Sequence, residues 1–209
     1  MKKVAVSLFS IMIFGISAVH AAVNPGDSPE QLVQQTTSEI LATIKSNREM
    51  YAKDHAKLYA LADKKVLPYF DFVRMSQWVL GRNWRTATPA QRTRFVSLFR
   101  DLLVRTYSTA LLQYTDQRIA YLPANASPGD TQMLVRTEVH QSGGAPDIPI
   151  YYSFYKNSSG EWKVYDVSID GVSLVTNYRA VYAGKIRREG MDALLDSLAA
   201  ADQQLRKKK

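Results

Sequence analysis

The chain has no cysteine, so no part of the fold can rest on disulfides or on a thiolate metal site. Histidine is nearly as scarce, with three in 209 residues. His20, His55 and His140 fall in separate segments, with no acidic neighbour at a metal-ligand spacing. There is no HExxH pattern and no GxSxG elbow; Gly171-Val172-Ser173-Leu174 lacks the second glycine. No glycine-rich phosphate loop opens a helix. These absences remove the common zinc, serine-hydrolase and nucleotide chemistries. Beyond the N-terminus no apolar run approaches the ~20 residues that span a bilayer. Acidic residues number 19 against 27 basic ones, a formal charge of +8. That surplus suits anionic headgroups, an acidic protein or solubility alone. No cluster of Lys and Arg interleaved with aromatics, as a single-strand binder needs, occurs in the sequence, which argues against nucleic acid.

What is present begins with a leader. Lys2 and Lys3 precede a mostly apolar stretch from Val4 to Val19, and Val19-His20-Ala21 offers small side chains at the −3 and −1 sites. This reads as a secretory signal peptide, residues 1–21, cleaved after Ala21. Without Lys2 and Lys3 the +8 becomes +6. Residues 22–209 are then expected to form a single domain. An exported chain without cysteine fits a bacterial periplasm.

Ser28-Pro29-Glu30-Gln31 is a capping box with proline at the first helical position, so a helix is expected over 29–46. A second is expected over 50–66, interrupted at Pro68, with short helical turns from Tyr69 to Leu80 and a stop at Gly81. Thr88-Pro89-Ala90-Gln91 repeats the box. From there Phe95, Leu98, Phe99, Leu102, Leu103, Tyr107 and Leu111 recur at spacings of three and four, predicting a long central helix to Tyr114. Arg92, Arg100 and Arg105 lie off that stripe and read as surface docking residues. The period then falls to two. Strands are expected at 118–122, through 133–140, at 148–154 and at 161–169. After Asp170-Gly171, helices follow over 173–188 and 191–205. Helices first, then antiparallel strands, then helices define an α+β class.

Chemistry is thin. Asp166 and Asp170 sit four apart, but Asp170 belongs to the turn, and an arginine such as Arg179 would pair Asp166. His140 ends a strand on its polar face. The aromatics are the surplus: Tyr151, Tyr152, Phe154, Tyr155, Trp162 and Tyr165 crowd one hairpin, giving bulk to both faces. An oligomer interface, a second covering layer and a lined cavity account for that equally.

Trp162-Lys-Val-Tyr-Asp-Val-Ser-Ile-Asp-Gly-Val-Ser-Leu-Val-Thr-Asn-Tyr-Arg179, followed by Gly190-Met-Asp-Ala-Leu-Leu195, resembles the MlaC family, also called toluene-tolerance proteins. Val66-Leu-Pro-Tyr-Phe-Asp-Phe72, Val79-Leu-Gly81 with Trp84-Arg85, and Gln91-Arg92 with Phe95, Phe99, Leu102-Leu103 and Thr106-Tyr107 carry the same likeness. It spans about residues 30–198. The resemblance implies an NTF2-like fold: a curved four-stranded antiparallel sheet wrapped by N- and C-terminal helices around an apolar pocket. It implies a periplasmic, monomeric, non-catalytic phospholipid carrier that maintains outer-membrane lipid asymmetry. The cargo would pass between an outer-membrane lipoprotein–porin complex and an inner-membrane ABC transporter with its MCE-domain protein, with no cofactor and no metal.

On that reading the sheet contributes Met133, Val135, Val139, Ile150, Tyr152, Phe154 and Val164 to a lipid pocket. The long helix adds Leu103, Tyr107 and Leu111, and the short turns add Trp78 and Leu80. Two rivals remain. One is an NTF2-like enzyme with Asp166 or His140 as base; the other is a non-catalytic interaction module whose apolar face is an interface.

Overall fold

The computed structural model describes residues 27–113, 117–123, 127 and 129–207. The expected leader and its cleavage site lie outside the described residues, as does the expected helix end at Tyr114. Helix α1 spans Pro29–Ser46 and starts on the full capping box. Gln31 N–H donates to Ser28 Oγ at 3.3 Å, and Ser28 N–H donates to Gln31 Oε1 at 2.8 Å. The helix expected over 50–66 is two helices, α2 (Arg48–Lys53) and α3 (His55–Lys65). Asp54 divides them, because its carboxylate accepts from the N–H groups of Ala56 and Lys57 and so restarts the helix. A 3₁₀ turn at Leu67–Tyr69 follows. Asp71 then caps α4 (Phe72–Leu80) through the Arg74 N–H at 2.8 Å, and Gly81 ends it at φ 54°. After the short α5 (Arg82–Thr86), the second capping box opens α6 (Pro89–Ser108), which tightens into a 3₁₀ segment, Thr109–Gln113.

Among the described residues five antiparallel strands, not four, form the sheet in the order β1-β2-β3-β4-β5: Arg118–Leu122, Gln132–His140, Ile148–Lys156, Trp162–Ile169 and Val172–Ser173. The additional strand comes from Asp170-Gly171. Both residues take positive φ, 51° and 78°, which gives a two-residue hairpin turn and pairs Ile169 with Val172. Helices α7 (Leu174–Glu189) and α8 (Met191–Lys207) complete an α+β, NTF2-like chain.

One local irregularity sets the sheet's inner face. Phe154 pairs with Val164, but Ser153 pairs with Asp166, so Tyr165 is an extra residue in β4. This bulge shifts the alternation. Val164 faces inward before it, and Val167 and Ile169 face inward after it.

The core lies between the sheet, α4, α6, α7 and α8. Phe95 and Phe99 of α6 are fully buried and stack at 5.5 Å. Tyr182 of α7 meets Phe95 edge-on at 5.9 Å, and Tyr178 meets Phe99 at 5.2 Å. Leu194, Leu195 and Leu198 of α8 close the other side.

Polar pairs tie α6 to α8 along their length. Gln91 bonds Asp192 at 2.8 Å, Arg94 bonds Asp196 at 2.8 Å, and Arg105 Nε donates to Asp202 at 2.5 Å. Arg105 is therefore not a surface docking residue: its side chain is 14% exposed and its partner Asp202 9%. Arg100 is likewise engaged, with Asp63 and Asp101. Burial alone would raise the Asp202 pKa, but hydrogen bonds from Arg206 and Arg105 outweigh it and hold the carboxyl below its ordinary value. A depressed folded-state pKa contributes stability above the ordinary carboxylate range and loses it as pH falls through the folded value. Asp202→Asn should therefore cost on the order of 2 kcal/mol at pH 7 and progressively less below about pH 4. Thermal midpoints of both proteins from pH 7 to pH 3 check this.

Candidate functional site

The inner face of the sheet is divided along its length. At one end Met133, Val135, Phe154 and Val164 pack into the solid core with Leu80. At the other end the side chains stop short of the helices and leave a cavity of about 670 Å³. Its floor is Ile119 of β1, Thr137 and Val139 of β2, Ile148, Ile150 and Tyr152 of β3, and Val167 and Ile169 of β4. One wall is α6 and its 3₁₀ extension, with Leu103, Val104, Tyr107, Ser108, Ala110 and Leu111. The facing wall combines Thr37, Ile40 and Leu41 of α1 with Ala62 and Val66, Leu67 and Phe70, and Phe72 and Met75 of α4.

Each wall is held by local chemistry. The α1 wall depends on the Ser28 capping box, and the α4 wall on Asp71. The Asp71 N–H also bonds the Val164 carbonyl at 2.9 Å, and its carboxylate accepts from the Tyr155 hydroxyl. Outside the sheet, the Arg74 guanidinium lies 3.8 Å from the Tyr155 ring centre, and Tyr165 packs on Tyr155. Part of the hairpin's aromatic surplus is thus an external clamp on α4.

The cavity is apolar and holds no carboxylate, histidine, lysine or arginine among its described lining residues. Its only titratable groups there are two phenols, Tyr107 and Tyr152. Burial pushes the Tyr152 phenol up to about 12, with Thr137 beside it, and the Thr137 hydroxyl donates to the Ile150 carbonyl at 2.9 Å. Tyr178, behind the wall, bonds Tyr107 and is pushed up to about 12, chiefly by burial. The Tyr152 and Tyr178 phenols therefore stay neutral through the physiological range and do not act as general bases there. Polar character gathers at one end, where Gln113, Gln117 and Gln141 line the cavity and Gln113 and Gln141 are exposed. The cavity opens there. The same rim carries His140, whose Nδ1 is 2.6 Å from Asp147 and whose Nε2 is 3.3 Å from Arg118.

Six of the residues expected at the pocket stand on its wall: Leu103, Tyr107, Leu111, Val139, Ile150 and Tyr152. Five others, Leu80, Met133, Val135, Phe154 and Val164, belong to the adjoining core. Trp78 is on the outer side of α4, 46% exposed and tilted on Tyr165 at 5.7 Å. The α1 side of the wall was absent from the sequence expectation, since a stripe such as Ile40 and Ile44 reads equally as core. Val167 and Ile169 were absent because the Tyr165 bulge breaks strict alternation.

The two candidate bases lie off the wall. Asp166 does not pair with Arg179. It accepts from Ser173 Oγ at 2.6 Å and from the Val175 N–H at 3.1 Å, at the start of α7. Arg179 donates instead to the Trp78 carbonyl at 2.5 Å. Asp166→Ala should lower stability by about 1–2 kcal/mol, as loss of a helix cap does. A denaturant midpoint shift without loss of cavity ligand checks that role. Among the described residues no cluster of His, Asp and Glu could hold a metal, and no helix is long and apolar enough to cross a membrane.

An α+β shell around an open, uncharged cavity defines a binder of apolar ligands. The family model described as MlaC protein matches residues 34–200, and the chain belongs to the MlaC family. The Haemophilus influenzae intermembrane phospholipid transport system binding protein MlaC is 28% identical over 194 residues, covering 91% of this chain and 90% of that protein. The Pseudomonas putida toluene tolerance protein ttg2D is 32% identical over 166 residues, covering 79% and 76%. A phospholipid-binding protein from Ralstonia solanacearum, solved in complex with a phospholipid, is 34% identical. It superposes with a TM-score of 0.79 over 87% of this chain and all of the other.

Proposed function

We propose that this protein is a periplasmic carrier of phospholipid, holding the acyl chains in the cavity between the sheet, α1, α4 and α6. The observation that carries the reading is the cavity's wall: about 670 Å³ enclosed by aliphatic and aromatic side chains, with no charged group among its described lining residues. A methylene fills a space like that of a water in the liquid, about 30 Å³, so the cavity admits about 20 of them. At about 0.8 kcal/mol each, their burial is worth on the order of 16 kcal/mol. A lipid crossing water needs compensation of that size. A phospholipid with two ordinary chains has about 28 methylenes, so its glycerol and first methylenes lie at the mouth, against Gln113, Gln117 and Gln141. Few polar anchors suit a cargo that must leave again at either end.

The family supports the rest. Relatives named for phospholipid transport and phospholipid binding support phospholipid as the cargo. The chain takes its place as a monomer between an outer-membrane lipoprotein–porin complex and an inner-membrane ABC transporter with an MCE-domain protein, keeping the outer membrane's lipids asymmetric. An enzyme is the weaker reading, because Asp166 is a helix cap and His140 a rim residue paired with Asp147. Solvent extraction of the purified protein followed by mass spectrometry tests the proposal. Close to equimolar diacyl phospholipid is expected. Folded protein that yields no lipid, and takes none up from vesicles, would refute it.

A further inference from the structure

The chain's positive charge is concentrated. From Phe72 to Arg100 there is no aspartate or glutamate, and there is none from Gly171 to Arg188. These two stretches hold ten of the 27 basic residues and none of the 19 acidic ones, leaving 17 against 19 elsewhere. They are not adjacent in sequence, but α4 packs against both α7 and α6, so the fold brings together the helices that carry them. Several of the cations are engaged within the chain. Arg94 and Arg100 pair with acids of other helices, and Lys185 pairs with Glu189. Arg82 and Arg85 are exposed and have no acidic partner among the described residues.

Beside those two arginines is a second hollow of about 440 Å³, lined by Gln77, Trp78, Gly81, Trp84 and Arg179. Its two indoles are fixed rather than floppy. Trp78 leans on Tyr165 at 5.7 Å, its carbonyl accepts from Arg179, and the Arg92 guanidinium lies 5.4 Å from the Trp84 ring centre. The lipid cavity does not need this arrangement, since it is the other side of α4, through Met75, that faces the cavity.

We propose that this hollow and its arginines are a docking surface for an acidic, aromatic-bearing segment of a partner protein. Tryptophan and arginine side by side are residue types enriched at a protein interface's energetic centre. Arginine forks match carboxylates in pairs. Exposed arginines without acidic partners attract an oppositely charged partner and raise the encounter rate. A shallow hollow beside two indoles offers ring faces on which an aromatic side chain can stack. The inference concerns the surface and does not depend on which cargo fills the cavity.

The test is a titration of ¹⁵N-labelled protein with a nonapeptide of one phenylalanine flanked by four glutamates on each side. A lysine counterpart and vesicles of phosphatidylethanolamine containing phosphatidylglycerol are run in parallel. Chemical shift changes are expected at residues 77–85 and 179–187, with the acidic peptide alone, and weakening with salt. Arg82→Glu with Arg85→Glu should weaken peptide binding at least about tenfold. Trp78→Gln should remove the phenylalanine contribution. Extracted lipid should stay at the wild-type value in both, and the thermal midpoint should be unchanged in the double arginine variant. Shifts confined to other residues, or equal affinity in the charge-reversed protein, would overturn the proposal. Vesicle binding that the charge reversal abolishes would also overturn it and assign the face to a membrane surface.

Discussion

Ile150→Asp should weaken lipid binding roughly a hundredfold while leaving the protein folded. Ile150 stands in the cavity floor, opposite Thr137 on one neighbouring strand and Ile169 on the other. With the cavity open at its glutamine rim, a carboxylate there is hydrated in the empty protein, so the cost to the fold is modest. Filling the cavity with acyl chains strips that water. The carboxylate must then be desolvated or protonated, and the methylenes beside it lose their apolar neighbours. A penalty of about 3 kcal/mol corresponds to roughly a hundredfold weaker binding. Val172→Asp is the control: Val172 is an exposed residue of β5, outside the cavity, and its substitution should leave the lipid in place. Extraction and mass spectrometry of the two variants, with circular dichroism to confirm folding, decide the matter.

Phe99→Ala should be among the most destabilising single truncations. Phe99 is fully buried, stacks on Phe95 and receives Tyr178 edge-on at 5.2 Å and Tyr182 at 6.4 Å. Removing a phenyl ring from such a site costs about 3–5 kcal/mol, with the residual cavity setting where in that range it falls. For a domain of this size that is a fall of roughly 10–15 °C in thermal midpoint. Because Tyr178 bonds Tyr107 on the cavity wall, lipid affinity should fall as well, but by less than in Ile150→Asp. A midpoint shift under about 3 °C would mean that α6 and α7 do not share one packed core.

The helices were legible because their boundaries are written in local chemistry. The two capping boxes at Ser28 and Thr88, the glycine at 81 and the Asp170-Gly171 turn all act where the sequence places them. Misreadings arose where a single polar residue changes the outcome. Asp54 restarts a helix, and Asp170-Gly171 makes a hairpin with a fifth strand rather than only a bend. Alternation in β2 and β3 identifies the inward face but carries no information about position along it. It cannot say that Val135 and Phe154 meet solid packing while Val139 and Ile150 meet a void. That distinction depends on how far α1 and α6 stand from the sheet, which is a tertiary property. Trp78 was not separable by spacing: it stands three residues from Met75, on the pattern that marks the buried stripe of α4, and only the fold turns it outward. An exposed tryptophan at that position points to a partner rather than to a core.

The most direct test of a lipid-filled cavity is photolabelling with a phospholipid that carries a diazirine near the end of one acyl chain. The loaded protein is irradiated, digested and mapped by mass spectrometry. Labels are expected on the cavity floor and walls, at residues such as Leu103, Leu111, Ile150 and Ile169. Labels confined to the outer surface around Trp78, with none on those residues, would contradict the account.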